Sequence, residues 1–126
     1  MTNQEHLQTS DCAQIIDDFK LVELIGFGAY GSVYKASQIN SNLQFAIKKI
    51  PKAFENVTIA KRTFREIKIL KNLKHENIIS LCKLIKFNKT SSNESLEDVY
   101  LVLDLMETDL HRIIYSDQKL TDMHIK

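Results

Sequence analysis

The chain has 126 residues, 44% of them hydrophobic and 26% charged, and its formal net charge is +1 at pH 7. This length allows one domain at most, and so small a net charge argues against partners held by a strong field, such as nucleic acid or a membrane surface. No apolar run is as long as a membrane span, and no secretory signal follows Met1.

The cysteines and histidines give no sign of a metal site. Cys12 and Cys82 are the only two cysteines; they lie far apart, and the four histidines are scattered. This usage is typical of reduced thiols. We therefore expect a cytoplasmic or nuclear protein without a metal bound by this chain.

The first predicted elements are a tail and a strand. Residues 1–18 are mostly polar and lack a sustained period, which predicts a flexible N-terminal tail. Phe19–Ile25 then reads as a strand, and Ser32–Ala36 alternates in the same way. Between these two strands lies a short loop that contains all the glycines of the chain.

This loop has the spacing G-x-G-x-x-G, with Gly26, Gly28 and Gly31. Glycine lets a ligand approach the backbone closely, so the concentration of glycines indicates a ligand there. Dinucleotide-binding folds share the spacing, but in them a helix follows the last glycine. Because a strand follows here, the motif favours a hairpin that lies over the phosphates of a nucleotide.

A third strand, Leu43–Ile50, carries a candidate cation for those phosphates. Strand side chains alternate between faces, so Ala46 and Lys48 share one face and Lys49 lies on the other. A small residue beside a lysine below the glycine hairpin suits a flat base and its phosphates. An isolated strand-end lysine is more often simply solvated, but the glycine loop favours a functional Lys48.

A helix is predicted over Val57–Leu73, and Glu66 interrupts its apolar face. The residues that form this arc are Ile59, Thr63, Ile67, Ile69, Leu70 and Leu73. A carboxylate within such a face needs a partner. Lys48, on the strand that the helix should cover, is the natural one; the alternative is Arg62, one turn back.

The remaining elements are a strand at Ile78–Phe87, an exposed loop at Asn88–Asp98, a buried strand at Val99–Leu103 and a short helical piece over Asp109–Ile114. The polar connector 104–108 leaves the buried strand, and there adenine could meet backbone groups. A last helix begins after residue 121, and the chain stops in its second turn. This position suggests a fragment or a truncated gene product.

With these residues in hand, the sequence resembles the N-terminal lobe of a eukaryotic protein kinase, specifically of a MAP kinase. The motifs that carry the resemblance are Ile25-Gly-Phe-Gly-Ala-Tyr-Gly-Ser-Val33, Ala46-Ile-Lys-Lys-Ile50, Arg62-Thr-Phe-Arg-Glu-Ile-Lys-Ile-Leu70, His75-Glu-Asn-Ile-Ile79 and Asp104-Leu-Met-Glu-Thr-Asp-Leu110. The runs Ile50–Phe54 and Ala60–Thr63 are similar to the large extracellular signal-regulated class.

The resemblance implies an α+β fold with a five-stranded antiparallel sheet and one helix. Residues 19–103 would be the N-lobe, 104–108 the hinge and 109–126 the incomplete start of the C-lobe. It also implies contacts to ATP for residues of the glycine loop, the third strand and the connector: Ile25, Gly26, Gly28, Ala29, Tyr30, Gly31, Val33, Ala46, Lys48, Leu103, Asp104, Met106 and Asp109.

The implied roles within this set differ. The three glycines would cover the phosphates, with Val33 and Ala46 against adenine. Lys48 would hold the α- and β-phosphates and Glu66 would orient it. Leu103 would be the gatekeeper, with the backbone of Asp104 and Met106 at adenine and Asp109 near the ribose. Arg65 would meet the phosphorylated activation loop.

The function implied is transfer of the γ-phosphate of ATP to Ser/Thr of proteins in a signalling cascade, with Mg²⁺, by a monomer that an upstream kinase activates. The His-Arg-Asp, Asp-Phe-Gly and Ala-Pro-Glu motifs, which supply the base and the Mg²⁺ ligands, are absent from the 126 residues. The chain alone is therefore expected to be inactive. The alternative is an inert truncated lobe that acts as a nucleotide- or partner-binding module, although exposed apolar surface counts against it.

Overall fold

The structure is a computed structural model that describes residues 14–91 and 94–125. Most of the predicted tail, together with Cys12, lies outside the described residues. Where the chain divides into lobes and hinge stays a prediction.

One antiparallel sheet and three helices make up the described fold. The elements are β1 (Ile15–Ile16), β2 (Phe19–Gly28), β3 (Gly31–Gln38), β4 (Gln44–Ile50), α1 (Val57–Asn72), β5 (Leu81–Ser91), β6 (Glu94–Asp104), α2 (Leu110–Ile114) and α3 (Asp122–Ile125). The strand order is β1-β2-β3-β4-β6-β5. The predicted α+β class, with strands before one long helix, is confirmed.

The sheet has six strands among the described residues, one more than predicted. The extra strand is β1, which pairs with the start of β2 across a tight turn at Asp17 and Asp18. The side chain of Ile16 is only 5% exposed and packs in the same cluster as Phe19. The prediction of a tail through residue 18 is wrong at this end, because residues 15–16 pair with β2 through their backbone and bury the side chain of Ile16.

The two faces of the sheet carry separate apolar clusters. One face is packed with its own large side chains, among them Phe19, Ile47 and Tyr100. The other face carries Ile50, Val99 and Leu101, and α1 packs against it through Ile67 and Leu70. The sheet therefore presents one face to the helix, and a polar side chain on that face can meet the helix directly.

The helix itself begins and ends close to the predicted residues, but its buried arc is narrower. Asn56 caps α1, since its side chain accepts a hydrogen bond from Ile59 N at 2.9 Å. Thr63 is buried, whereas Ile69 and Leu73, predicted on the same apolar arc, are 55% and 49% exposed. The reason is geometric: a helix lying on one sheet buries only the narrow line of residues that faces it.

The hairpin of β5 and β6 corrects the predicted loop at Asn88–Asp98. The two strands pair from Leu81 opposite Leu103 to Ser91 opposite Glu94. Strand β5 also begins three residues later than the predicted Ile78. Polar composition suggested a loop, but a strand pair at the sheet edge is held by backbone hydrogen bonds and does not require apolar side chains on both faces.

Candidate functional site

The predicted pairing of Lys48 with Glu66 is confirmed. The ammonium Nζ of Lys48 lies 2.8 Å from Oε1 and 2.9 Å from Oε2 of Glu66, so both carboxylate oxygens accept from it. The two side chains are 25% and 30% exposed. The pair joins β4 to α1, and it leaves part of the lysine facing open space.

Alternation along β4 selects Lys48 over its neighbour. Lys48 lies opposite Val33 on one side and Leu101 on the other, and Leu101 belongs to the cluster that faces α1. Lys49 points to the opposite face, where its Nζ lies 5.8 Å from the centre of the Tyr100 ring and 3.8 Å from Asp98 Oδ2. The face predicted for each lysine is therefore correct.

The backbone geometry of the turn between β2 and β3 requires glycine at position 31, the last glycine of the loop. Gly31 has φ +140°, a backbone conformation that residues with side chains rarely adopt. A Cβ placed on Gly31 would lie 2.0 Å from the carbonyl oxygen of Lys49. The fold itself thus requires glycine at this position, because β4 passes directly against it.

The other two glycines are not required by the fold in this way. A Cβ on Gly26 would make ordinary contacts with Val33 at 3.5 Å or more. A Cβ on Gly28 would meet no atom within 4 Å. Space is therefore left beside Gly28 that the described residues do not fill, as a loop that covers a ligand would need.

Val33, Ala46 and Leu103 lie on the same face of the sheet as Lys48. Ala46 sits opposite Leu103 across β4 and β6, two residues along from Lys48, and Val33 is directly opposite Lys48. Ala46 is buried, and the other two are partly exposed. The structure thus brings together the small and apolar residues predicted to surround a base with the lysine predicted for its phosphates.

A cavity of about 720 Å³ lies between β2 and the connector 104–108. Three predicted site residues line it: Ile25, Met106 and Asp109. The carboxylate of Asp109 also caps α2, accepting from Arg112 N at 2.8 Å. Lys48 and Glu66 are not among the lining residues, so the cavity marks one end of the predicted cleft and the ion pair marks the other.

Asp104, the first residue of the connector, forms two hydrogen bonds with Ser80. Its backbone N–H donates to Ser80 O at 3.3 Å, and its carboxylate accepts from Ser80 N at 2.9 Å. These bonds tie the end of β6 to the start of β5. The backbone N–H of Asp104 is thus engaged by Ser80 and is not open to a base, which narrows the prediction for this residue.

The carboxylate of Asp104 also lies beside a thiol. Oδ1 of Asp104 is 3.8 Å from Cys82 Sγ, although Cys82 as a residue is exposed. Partial burial of the sulfur and then the negative charge of Asp104 raise the pKa of Cys82. At neutral pH this thiol is accordingly less nucleophilic than an ordinary one.

Helix α1 carries a basic group, and one member of it contacts the glycine turn, residues 28–31 between β2 and β3. Lys61, Arg62 and Arg65 line a cavity of about 270 Å³ with Val57 and Thr58. Within this group the Arg62 guanidinium lies over the ring of Tyr30, with Cζ 3.8 Å from the ring centre. Sequence reasoning missed this contact, since residues so far apart carry no periodic signal that could pair them.

The described part of the chain shows neither a group of side chains suited to a metal ion nor a membrane-spanning helix. Residues 14–91 and 94–125 contain no group of three or more His, Cys, Asp or Glu side chains placed to hold a metal ion. None of the helices described in that part of the chain is long and apolar enough to cross a membrane.

The chain is similar in sequence to protein kinases. The sequence model of the protein kinase domain matches residues 19–126. Extracellular signal-regulated kinase 1 of Dictyostelium discoideum is 50% identical over 106 residues, covering 84% of this chain and 20% of that protein. Mitogen-activated protein kinase 4 of Arabidopsis thaliana is 50% identical over 102 residues, covering 81% and 26%. Mitogen-activated protein kinase 6 of Oryza sativa subsp. japonica is 49% identical over 100 residues, covering 79% and 26%.

Proposed function

This chain belongs to the protein kinase domain family and is similar to MAP kinases, and we propose that it forms the ATP-binding portion of a MAP kinase-like serine/threonine kinase. It spans about a fifth to a quarter of the length of the relatives described above. Transfer of the γ-phosphate of ATP to Ser/Thr of protein substrates is accordingly proposed for the longer protein and not for these residues alone.

The observation that carries this proposal is the ion pair of Lys48 with Glu66. A lysine paired on one side by a carboxylate, and partly open on the other, is held ready to donate to a second anion. Glu66 fixes the position of the ammonium group, and Lys48 donates to the α- and β-phosphates of ATP. Lys48 also shares its sheet face with Val33 and Ala46, so the lysine lies beside the residues that we propose to contact the base.

The glycine loop fits a triphosphate for a physical reason. Gly31 is required by the close approach of β4, but Gly28 has open space where a side chain could stand. Phosphate oxygens that enter this space meet backbone N–H groups without steric hindrance from a Cβ. The loop thus covers the phosphates and excludes water from them. The phosphates can come this close to the backbone because Gly28 has no side chain.

The other end of the cleft suits a base and a ribose. The cavity beside the connector combines the apolar Ile25 and Met106 with polar groups, among them the carboxylate of Asp109. Ala46 supplies a flat floor and Leu103 stands next to it as gatekeeper. This mixture of an apolar wall with a few polar groups is what small-molecule sites use to orient a ligand.

We propose that magnesium is held by residues of the longer protein. The described residues offer no cluster of carboxylates for it, and protein kinases take their Mg²⁺ ligands from Asp-Phe-Gly and the catalytic loop. We assign no step to a metal here. Protein substrates, an upstream activating kinase, a monomeric state and a location in cytoplasm or nucleus belong to the same proposal for the longer protein.

Arg65 receives a regulatory role in this proposal. It lies with Lys61 and Arg62 on one side of α1, and within the described residues neither Lys61 nor Arg65 forms an ion pair. Guanidinium groups bind phosphate well because their donors are arranged as a fork. We propose that Arg65 meets a phosphorylated segment of the longer protein and so holds α1 against the sheet.

A second candidate is a partner-binding module without catalysis. Several apolar side chains of α1 are exposed, among them Val57 at 69%, Phe64 at 62% and Ile69 at 55%, and a partner could cover them, although the same exposure counts against a stable lobe on its own. Nucleotide binding is compatible with both candidates. Phosphoryl transfer by the longer protein is expected only if the chain is the ATP-binding portion of a kinase.

Calorimetric titration of the purified chain with Mg-ATP tests the proposal, with NAD as the control ligand. We expect a saturable 1:1 isotherm for ATP and none for NAD. Absence of saturable ATP binding would overturn the proposed nucleotide site. Equal binding of NAD would overturn the choice of a kinase-type loop over a dinucleotide-binding one.

A further inference from the structure

Arg62 is the residue that could disturb the pair of Lys48 with Glu66. It lies one helical turn before Glu66 on α1, and residues at this spacing are neighbours on a helix surface. Lys48 occupies both carboxylate oxygens of Glu66. If the guanidinium of Arg62 turned toward Glu66, it would compete for the same two oxygens with a fork of donors that fits a carboxylate better than an ammonium group does.

The structure shows where Arg62 goes instead. Within the described part of the chain Arg62 forms no ion pair with Glu66, and its Cζ lies 3.8 Å from the centre of the Tyr30 ring. A guanidinium over an aromatic face is attracted by the negative charge density of the ring. Tyr30 therefore holds Arg62 on the side of the helix that faces the glycine turn.

Tyr30 lies in a turn that meets two other elements of the fold. Tyr30 lies in the two-residue turn between β2 and β3, immediately before Gly31. Gly31 lies so close to the carbonyl oxygen of Lys49 on β4 that a Cβ would not fit between them. The turn thus lies against β4 at Gly31 and against α1 at Tyr30, and these are the same two elements that the Lys48–Glu66 pair joins.

We propose that Tyr30 is a positioning residue: its ring holds the Arg62 guanidinium away from Glu66 and so leaves that carboxylate to Lys48. The effect of Tyr30 on the Lys48–Glu66 pair does not depend on the proposed function. Only the consequence for ATP binding rests on it. The inference assigns the aromatic residue of the glycine turn a role toward the helix, in addition to any contact with a nucleotide.

The reactivity of Lys48 toward an acylating reagent measures the pair without nucleotide. The rate of acetylation of Lys48 by an N-hydroxysuccinimide ester is followed by mass spectrometry, with the exposed Lys119 as internal reference. An ammonium group held by two hydrogen bonds to a carboxylate reacts slowly, because these contacts must break before its nitrogen can meet the reagent. We expect Tyr30→Ala to raise the Lys48 rate about fivefold relative to Lys119, as loss of one cation–π contact allows.

Two further variants distinguish competition by Arg62 from a simple increase in the solvent exposure of Lys48. Tyr30→Phe keeps the ring and should react like the wild type. In the double variant Tyr30→Ala with Arg62→Ala the competitor is gone, so the Lys48 rate should return to the wild-type value. If the double variant instead stays as reactive as Tyr30→Ala, or if Tyr30→Ala changes nothing, the proposal is wrong.

Binding of Mg-ATP to the same variants gives the functional consequence. We expect Tyr30→Ala to weaken binding and removal of Arg62 in the double variant to restore most of it. Loss of ATP binding in every variant, including the wild type, would count against the proposed nucleotide site only. The acetylation rates would still decide whether Tyr30 positions the pair.

Discussion

Lys48 and Glu66, 18 residues apart, form a two-point ion pair between β4 and α1, with Nζ 2.8 and 2.9 Å from the two carboxylate oxygens. The pair crosses from sheet to helix beside the apolar cluster that holds them together. It thereby makes the position of the lysine depend on the packing of the helix. A helix that moved away from the sheet would lose the pair before it lost its own hydrogen bonds.

Replacing Glu66 by glutamine should affect function more than stability. Because both side chains of the pair are partly exposed, the loss of stability should be at most about 1 kcal/mol. The ammonium group of Lys48 would lose its fixed position, so affinity for Mg-ATP should fall about fivefold or more. Denaturant unfolding and calorimetry measure the two quantities, and Glu55→Gln, which alters an exposed pair with Lys52, serves as control. Large destabilisation with unchanged ATP affinity would show that the pair is only structural.

Substitution of Gly31 should lower the stability of the chain, whereas substitution of Gly28 should lower only its affinity for ATP. Gly31→Ala forces a Cβ to within 2.0 Å of Lys49 O at φ +140°, so it should destabilise the chain by about 3 kcal/mol or more. Gly28→Ala has room for its Cβ, and its stability should stay within about 1 kcal/mol of wild type.

The affinity for ATP completes that comparison. Gly28→Ala should fold normally but bind ATP more weakly, since the added methyl group occupies space that we assign to the phosphates. Circular dichroism melts and calorimetry on the two variants provide the measurements. Unchanged ATP affinity in Gly28→Ala would contradict the assignment of that space.

The thiol of Cys82 should react slowly and respond to Asp104. Partial burial and the nearby carboxylate raise its pKa, so at a given pH less thiolate is present and alkylation is slower than for a free cysteine. In a Cys12→Ser background, the midpoint of the iodoacetamide rate against pH should lie above that of N-acetylcysteine. Asp104→Asn removes the negative charge and should move the midpoint to lower pH; an unmoved midpoint would show that Asp104 has no influence on the thiol.

The sequence predicted the pairing of Lys48 with Glu66 better than it predicted the elements around the pair. Alternation in one strand placed Lys48 and Lys49 on opposite faces, and a charge within an apolar helical arc led to Glu66. Both inferences depend on local periodicity, which a sequence displays directly. The narrower buried arc of α1, with Ile69 exposed, depends on which surface the helix meets, and periodicity does not contain that information.

The remaining differences have other physical causes. The polar arms of the β5–β6 hairpin are paired through backbone N–H and C=O groups, which do not depend on the side chain, so composition alone suggested a loop. The stacking of Arg62 on Tyr30 joins a turn to a helix through a tertiary contact. Such contacts have no fixed spacing in the sequence and become visible only when the fold brings the two elements together.

A comparison of Lys48→Met with Lys49→Met tests the central claim most directly. The two lysines are adjacent but point to opposite faces, so the variants change the same charge by the same chemistry in two environments. Calorimetric titration with Mg-ATP should show affinity at least about tenfold lower for Lys48→Met, as loss of a charged hydrogen bond predicts. The affinity of Lys49→Met should equal that of the wild type. Equal losses in both variants, or a loss only in Lys49→Met, would contradict the account of Lys48 as the residue that binds the phosphates.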